Sequence, residues 1–279
     1  MTMKINKTHS LMLFLGISIL LTGCSDSLSD TTDGRLRYWI STLSSDEFEG
    51  RAPGTEGGQL TKNFISKTFQ DLNLDPMNGS YFLDVPTSEI TLKDSSYLTL
   101  SFRGNDRKMI TGDEVVFWTK QAREYRKIRD SEVVFVGYGI VAPEYNWNDY
   151  EGIDVKGKTV VILVNDPGFA TGKLRLFNGR SMTYYGRWTY KFEEAARQGA
   201  AAAIIVHEEE PAAYPWSVVE NSWQGPQLDL QRDDLGADRV ILEGWIRDST
   251  LNDVLNFTGF NYDSLKEIAL EKTFSAFQL

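Results

Sequence analysis

The chain has 279 residues, enough for one large domain or two modest ones. With 41% hydrophobic, 24% charged and 12% aromatic residues it can bury a core, which excludes disorder over most of its length. A formal charge of -10 excludes a phosphate-backbone binder, so no nucleic-acid partner is expected, and one cysteine excludes a disulfide framework or a cysteine metal cage.

Residues 1–23 read as a signal peptide. Lys4 and Lys7 form a positive start and Leu11 to Leu21 an apolar run of 11 residues, shorter than the about 20 that span a bilayer. Leu21-Thr22-Gly23-Cys24 follows, which resembles a bacterial lipobox, so Cys24 is the expected lipidation site. Cleavage before Cys24 removes Lys4 and Lys7, leaving 27 basic groups against 39 acidic ones. Such a body is repelled by anionic headgroups, so the membrane contact is expected to rest on the acyl chains. Residues 24–33 read as a polar tether.

Residues 34–79 carry helical spacing. Leu36, Trp39, Ile40 and Leu43 mark one stripe; Leu60, Phe64, Thr68 or Phe69, and Leu72 mark a second, with Ile65 widening it. The second helix should begin near Thr55 or Glu56 and stop at Asn73-Leu74-Asp75-Pro76. Residues 80–247 turn to short β-rich runs, with strands expected at 81–85, 97–102, 114–118, 132–137, 159–164, 202–207 and 240–246. One helix, 190–198, interrupts them and ends at Gly199; the apolar run 200–206 then reads as a strand buried on both faces. Residues 248–279 return to helical spacing and end in Thr273 to Leu279, which alternates like an unpaired opening strand.

Chemistry is sparse. The acid runs Glu208-Glu209-Glu210 and Asp233-Asp234 read as solvated loops, and of the two histidines, His9 and His207, the second ends a buried strand. Gly137-Tyr138-Gly139 reads as a sharp turn. Tyr184, Tyr185, Arg187 and Trp188 form the candidate substrate-cleft or partner surface, because a guanidinium among rings suits recognition; the alternative is that these rings pack the helix 190–198 onto the sheet.

The stretch 46–76 resembles the opening of the co-catalytic di-zinc aminopeptidases of the bacterial leucyl aminopeptidase and aminopeptidase Y type, and 133–168 and 182–223 resemble their inserted protease-associated domain. The resemblance implies an α+β chain. A β-rich protease-associated domain at 80–247, a β-sandwich or open barrel with flanking helices, would be inserted between helices of an incomplete α/β zinc-peptidase domain. Residues 34–79 and 248–279 would supply those helices and its first strand. It also implies two zinc ions and a glutamate base, whose family positions follow the inserted domain, so no catalytic or metal residue transfers to this chain. The expectation is the N-terminal portion of an exported, lipid-anchored metallo-aminopeptidase in the bacterial cell envelope, outer membrane or periplasm-facing, inactive by itself and ended early. It would meet peptide substrates through a catalytic half outside these residues. The alternative is a non-catalytic peptide- or protein-binding lipoprotein, and a third reading is a structural surface lipoprotein.

Overall fold

The computed structural model describes residues 32–102 and 104–279. The expected signal peptide, Cys24 and the tether as far as residue 31 lie outside the described residues; Thr32 and Asp33, read as the end of the tether, open the first helix. Helices and sheets are mixed in an α+β composition. The chain divides into two compact units, one ending at Asp84 and one spanning Val85–Leu279.

The first unit holds α1 (Thr32–Leu43), a 3-10 segment Asp46–Arg51, and α2 (Glu56–Asp71). Thr55 caps α2, its hydroxyl accepting from the Gly58 amide at 3.1 Å. The connection reverses through Glu49, Gly50 and Arg51, all at positive φ, and the Arg51 guanidinium donates to the Leu43 carbonyl that ends α1. Phe48 is the one large apolar side chain buried among the described residues of this unit, edge-on to Phe64 at 6.0 Å. The expected stripe of α1 stays open, with Leu36 and Ile40 exposed. No strand forms at 81–85. There the Tyr81 hydroxyl donates to the Leu74 carbonyl and its ring meets Phe69 at 5.9 Å, so the segment folds back on the end of α2 instead of pairing.

The second unit runs β1 (Thr87–Ile90), β2 (Leu98–Phe102), β3 (Asn105–Met109), β4 (Val115–Trp118), β5 (Val133–Phe135), β6 (Val141–Ala142), β7 (Trp147–Asn148) and β8 (Thr159–Leu163). It continues with α3 (Pro167–Thr171), α4 (Trp188–Arg197), β9 (Ala202–His207), α5 (Glu209–Ala212), α6 (Trp216–Ser222) and β10 (Gln227–Leu230). The last elements are β11 (Leu242–Arg247), α7 (Asp248–Thr258), α8 (Tyr262–Ile268) and β12 (Phe277–Gln278). Its frame is a six-stranded sheet in the order β12-β5-β8-β9-β11-β4. The inner four strands are parallel and the two edges antiparallel to them; β1 with β10, β2 with β3, and β6 with β7 make three small sheets.

The single open sheet corrects the expected sandwich or barrel. Its reason is composition: Thr159–Leu163 and Ala202–His207 are buried at every position, so both faces need cover. Val160, Ile162, Ala203 and Ile205 share one core with Phe192 and Ala195 of α4 and Trp216 and Val219 of α6. Val161, Leu163, Ile204 and Val206 share the other with Leu251 and Leu255 of α7 and Leu265 of α8. Within the second unit, the residues before and after 247, read as two regions, thus meet on one sheet. The terminal strand read as unpaired finds a partner, with Phe277 opposite Phe135 and Gln278 opposite Val134.

Candidate functional site

Titratable side chains gather at the carboxyl ends of the parallel strands, where open α/β sheets commonly carry their sites. After β5 the chain turns through Gly137 and Gly139, at φ of 54° and 61°. A Cβ on Gly139 would lie 3.0 Å from Ile162 Cγ2, so the left-handed turn and the close approach both call for glycine. Lys191, fully buried on α4, donates from Nζ to the Tyr138 carbonyl at 2.6 Å. Asp149, also buried, accepts from the Ile140 amide at 2.9 Å and from Trp147 Nε1 at 2.8 Å. Burial pushes the Asp149 carboxyl up to about 7, against the pull of those bonds and of Lys191. Burial likewise pushes the Lys191 ammonium down to about 7, against the attraction of Asp149 and Asp166.

The neighbouring strand ends are built the same way. Asp166 follows β8; its Oδ1 accepts from the Gly168 and Phe169 amides, capping α3, and its Oδ2 accepts from Thr183 Oγ1 at 2.8 Å. His207 ends β9 with Nε2 3.1 Å from the Tyr214 carbonyl oxygen, and burial lowers its pKa. Glu208 pairs with Lys266 of α8 at 2.7 Å. Lys191 and Asp149 escaped the sequence reading. The available signal was a lysine placed beside Phe192 inside the apolar stripe of an amphipathic helix.

Of the four predicted recognition residues, Tyr185 and Trp188 pack against different cores. Tyr185 packs edge-on against Tyr190 at 5.0 Å and donates to Glu144 at 2.6 Å, a bond that raises its hydroxyl to about 12. Trp188 turns to the other core, edge-on to Trp223 at 5.8 Å and with Lys120 Nζ 5.8 Å from its ring centre. Tyr184 and Arg187 are exposed, and Tyr184 donates to Glu193.

A cleft of about 530 Å³ opens between the β2–β3 hairpin, the sheet and α7. Leu100, Val161, Ile204, Ile246, Leu255 and Phe257 give it apolar walls. Arg107 and Lys108 reach it from β3; Arg107 is paired with Glu114, and Lys108 stands over the Tyr97 ring at 4.1 Å. Its size and lining suit a small apolar ligand or peptide side chains.

The zinc that the resemblance implies finds no donor set here. Among the described residues no three His, Cys, Asp or Glu side chains converge to hold a metal ion, and the His207 Nε2 is engaged by a carbonyl. Among the described residues, too, no helix is long and apolar enough to cross a membrane.

No protein-family model and no curated protein matches the chain. Among solved structures, the aminopeptidase from Aneurinibacillus sp. strain AM-1 is similar over 78% of this chain, at 17% identity and a TM-score of 0.35. The chain spans 40% of that enzyme's length.

Proposed function

We propose that the chain is a non-catalytic portion of an exported, lipid-anchored metallo-aminopeptidase, whose hydrolysis of peptide N-termini takes place at a di-zinc site outside these residues. The observation that carries the reading is in the sequence: the three stretches 46–76, 133–168 and 182–223, long matches that together fill much of the chain. Support comes from where they lie. The stretch 133–168 supplies β5 and β8, and 182–223 supplies α4, β9 and α6, so the last two stretches together build three adjacent strands and two covering helices. The membrane attachment follows from Cys24, and zinc and peptide substrates from the family resembled.

The test compares the chain alone with the chain joined to the coding sequence after codon 279, each with added zinc, on leucyl-p-nitroanilide. The expected result is hydrolysis by the longer protein only. Hydrolysis by the 279-residue chain, or by neither, overturns the reading.

A second reading, a peptide-binding lipoprotein, is favoured by one observation, the apolar cleft beside α7. It is tested by fluorescence anisotropy with labelled apolar peptides. On this reading Ile204→Trp, which fills the cleft, weakens binding at least tenfold; equal binding by both proteins rejects the cleft as the site.

A further inference from the structure

β4 ends at Trp118, opposite Glu243 near the start of β11, and β5 begins at Val133 beyond β11, β9 and β8. Residues 119–132 join the two and so run past the amino end of the sheet. The run is pinned at both of its ends. Gln121 Nε2 donates to the Arg239 carbonyl, the Ala122 amide to the Leu235 carbonyl, and Ser131 Oγ to the Gly157 carbonyl. Between these pins, residues 124–130 make no backbone–backbone hydrogen bond among the described residues.

This run holds Lys120, Arg123, Arg126, Lys127 and Arg129 against Glu124 and Asp130, five cations to two acids, in a chain whose acids outnumber its bases 39 to 29. Lys120 is committed to the buried Glu243. Arg123, Lys127 and Arg129 are exposed and make no ion pair and no side-chain hydrogen bond among the described residues. Exposure alternates from 125 to 129: Tyr125, at 72%, Lys127 and Arg129 face water, while Arg126 and Ile128 are half-buried. That alternation is the signature of an extended segment lying on a surface. Lys127 and Arg129, two residues apart on its outer face, repel each other, and no ion pair of the fold relieves them.

We propose that residues 123–129 are a docking strip for the anionic phospholipid headgroups of the membrane to which Cys24 attaches the chain; the proposal rests on the anchoring put forward above for the membrane it names.

Charge and form favour this partner. An open row of cations suits a flat surface of phosphates, and the Tyr125 ring among them is of the amphipathic kind that settles at headgroup depth. The acidity that predicts repulsion belongs to the whole chain. At physiological salt a field fades over about 8 Å, so a membrane in contact with the strip meets its cations and not the distant acids. An anchored chain is also held at high effective concentration, so weak contacts suffice to orient it. Docked by the amino end of the sheet, the second unit would turn the carboxyl ends of the strands, with Lys191, Asp149, Asp166 and His207, away from the lipid.

The chain has one cysteine, so Cys24→Ala with Tyr125→Cys puts a single environment-sensitive dye inside the strip of the full chain. Vesicles of phosphatidylcholine with about 30% phosphatidylglycerol should brighten and blue-shift the dye, pure phosphatidylcholine should not, and added salt should reverse the change. Adding Arg123→Gln, Lys127→Gln and Arg129→Gln, all at exposed positions, should raise the half-saturating lipid concentration about twenty-fold or more. The dye reads the strip itself and not the apolar run 11–21, which both proteins carry. An equal response on the two kinds of vesicle, a response that survives salt, or an unchanged lipid requirement in the variant overturns the strip. So does an equal response to soluble polyglutamate, which assigns the cations to an acidic protein. Palmitate labelling of the unmodified chain in bacteria reads the anchor separately: no label at Cys24 overturns the anchoring alone, because the vesicle measurement is made without it.

Discussion

Two leucines of the same core should respond differently to truncation, because one borders the cleft and the other does not. Leu163 in β8 and Leu255 in α7 are 2% and 1% exposed and belong to one apolar cluster. Only Leu255 lines the cleft. Replacing either by alanine removes three carbons from a dry environment, about 2.4 kcal/mol at about 0.8 kcal/mol per group. At Leu163 the vacated volume, roughly 80 Å³, stays enclosed and adds about 2 kcal/mol at about 24 cal/mol per Å³. At Leu255 the new space merges with an existing opening of about 530 Å³, so the added cost is small. Leu163→Ala should therefore cost about 4 kcal/mol and Leu255→Ala about 2.5. For a unit of this size the difference corresponds to about 3–6 °C in melting temperature. Urea unfolding followed by far-ultraviolet circular dichroism measures both, with unchanged m-values as the check on the unfolded state. Equal costs, or a larger cost at Leu255, would refute a cleft open beside α7.

Two further substitutions set local rules against tertiary ones. Gly57→Ala sits in the first turn of α2, where propensity favours alanine by about 1 kcal/mol. The new Cβ would overlap the Phe48 carbonyl oxygen, so the variant should lose about 1–3 kcal/mol instead, seen as a lower melting temperature and faster proteolysis of the N-terminal unit. A raised melting temperature would sink this reading. Glu243, 1% exposed, accepts from Trp118 Nε1 at 2.9 Å with Lys120 Nζ at 3.6 Å. Burial raises its carboxyl, so the folded chain holds a proton that the unfolded chain has released, and stability declines as pH climbs through that window. Glu243→Gln keeps the acceptor for Trp118 and drops the charge. It should therefore compare more favourably with the unmodified chain at pH 7.5 than at pH 4.0; the same difference at both values would contradict the assignment.

Much of the element pattern was legible along the chain because it is local. The strand 202–207 was expected at the bounds it has, since the unbroken apolar run 200–206 leaves neither face suited to water and His207 closes it. The helix before it could be read from Phe192 and Ala195, with Gly199 at positive φ just past its end. Thr55 as a cap and the glycine turn at 137–139 follow from residue chemistry alone. The segment 81–85 failed because alternation signals strand conformation, while a strand exists only where a partner offers its ladder. For residues 277–278 the same uncertainty resolved the other way, and β5 supplied the partner.

The candidate site divides along the same line. Which side chains can ionise, and that Lys191 stands in an apolar stripe, belong to the sequence. That Lys191 meets a carbonyl 53 residues away, and that Asp149 closes on the same loop, depend on how β5, β8 and α4 stack. The aromatic run 184–188 shows the limit most clearly. Its residues are neighbours in the chain, yet Tyr185 joins one core and Trp188 the other. Sequence determined the kind of element each residue prefers, because backbone sterics and apolar spacing act over a few residues. Only the tertiary structure decided which charges were buried and which faces met, because burial is a property of the neighbours that the folded chain supplies.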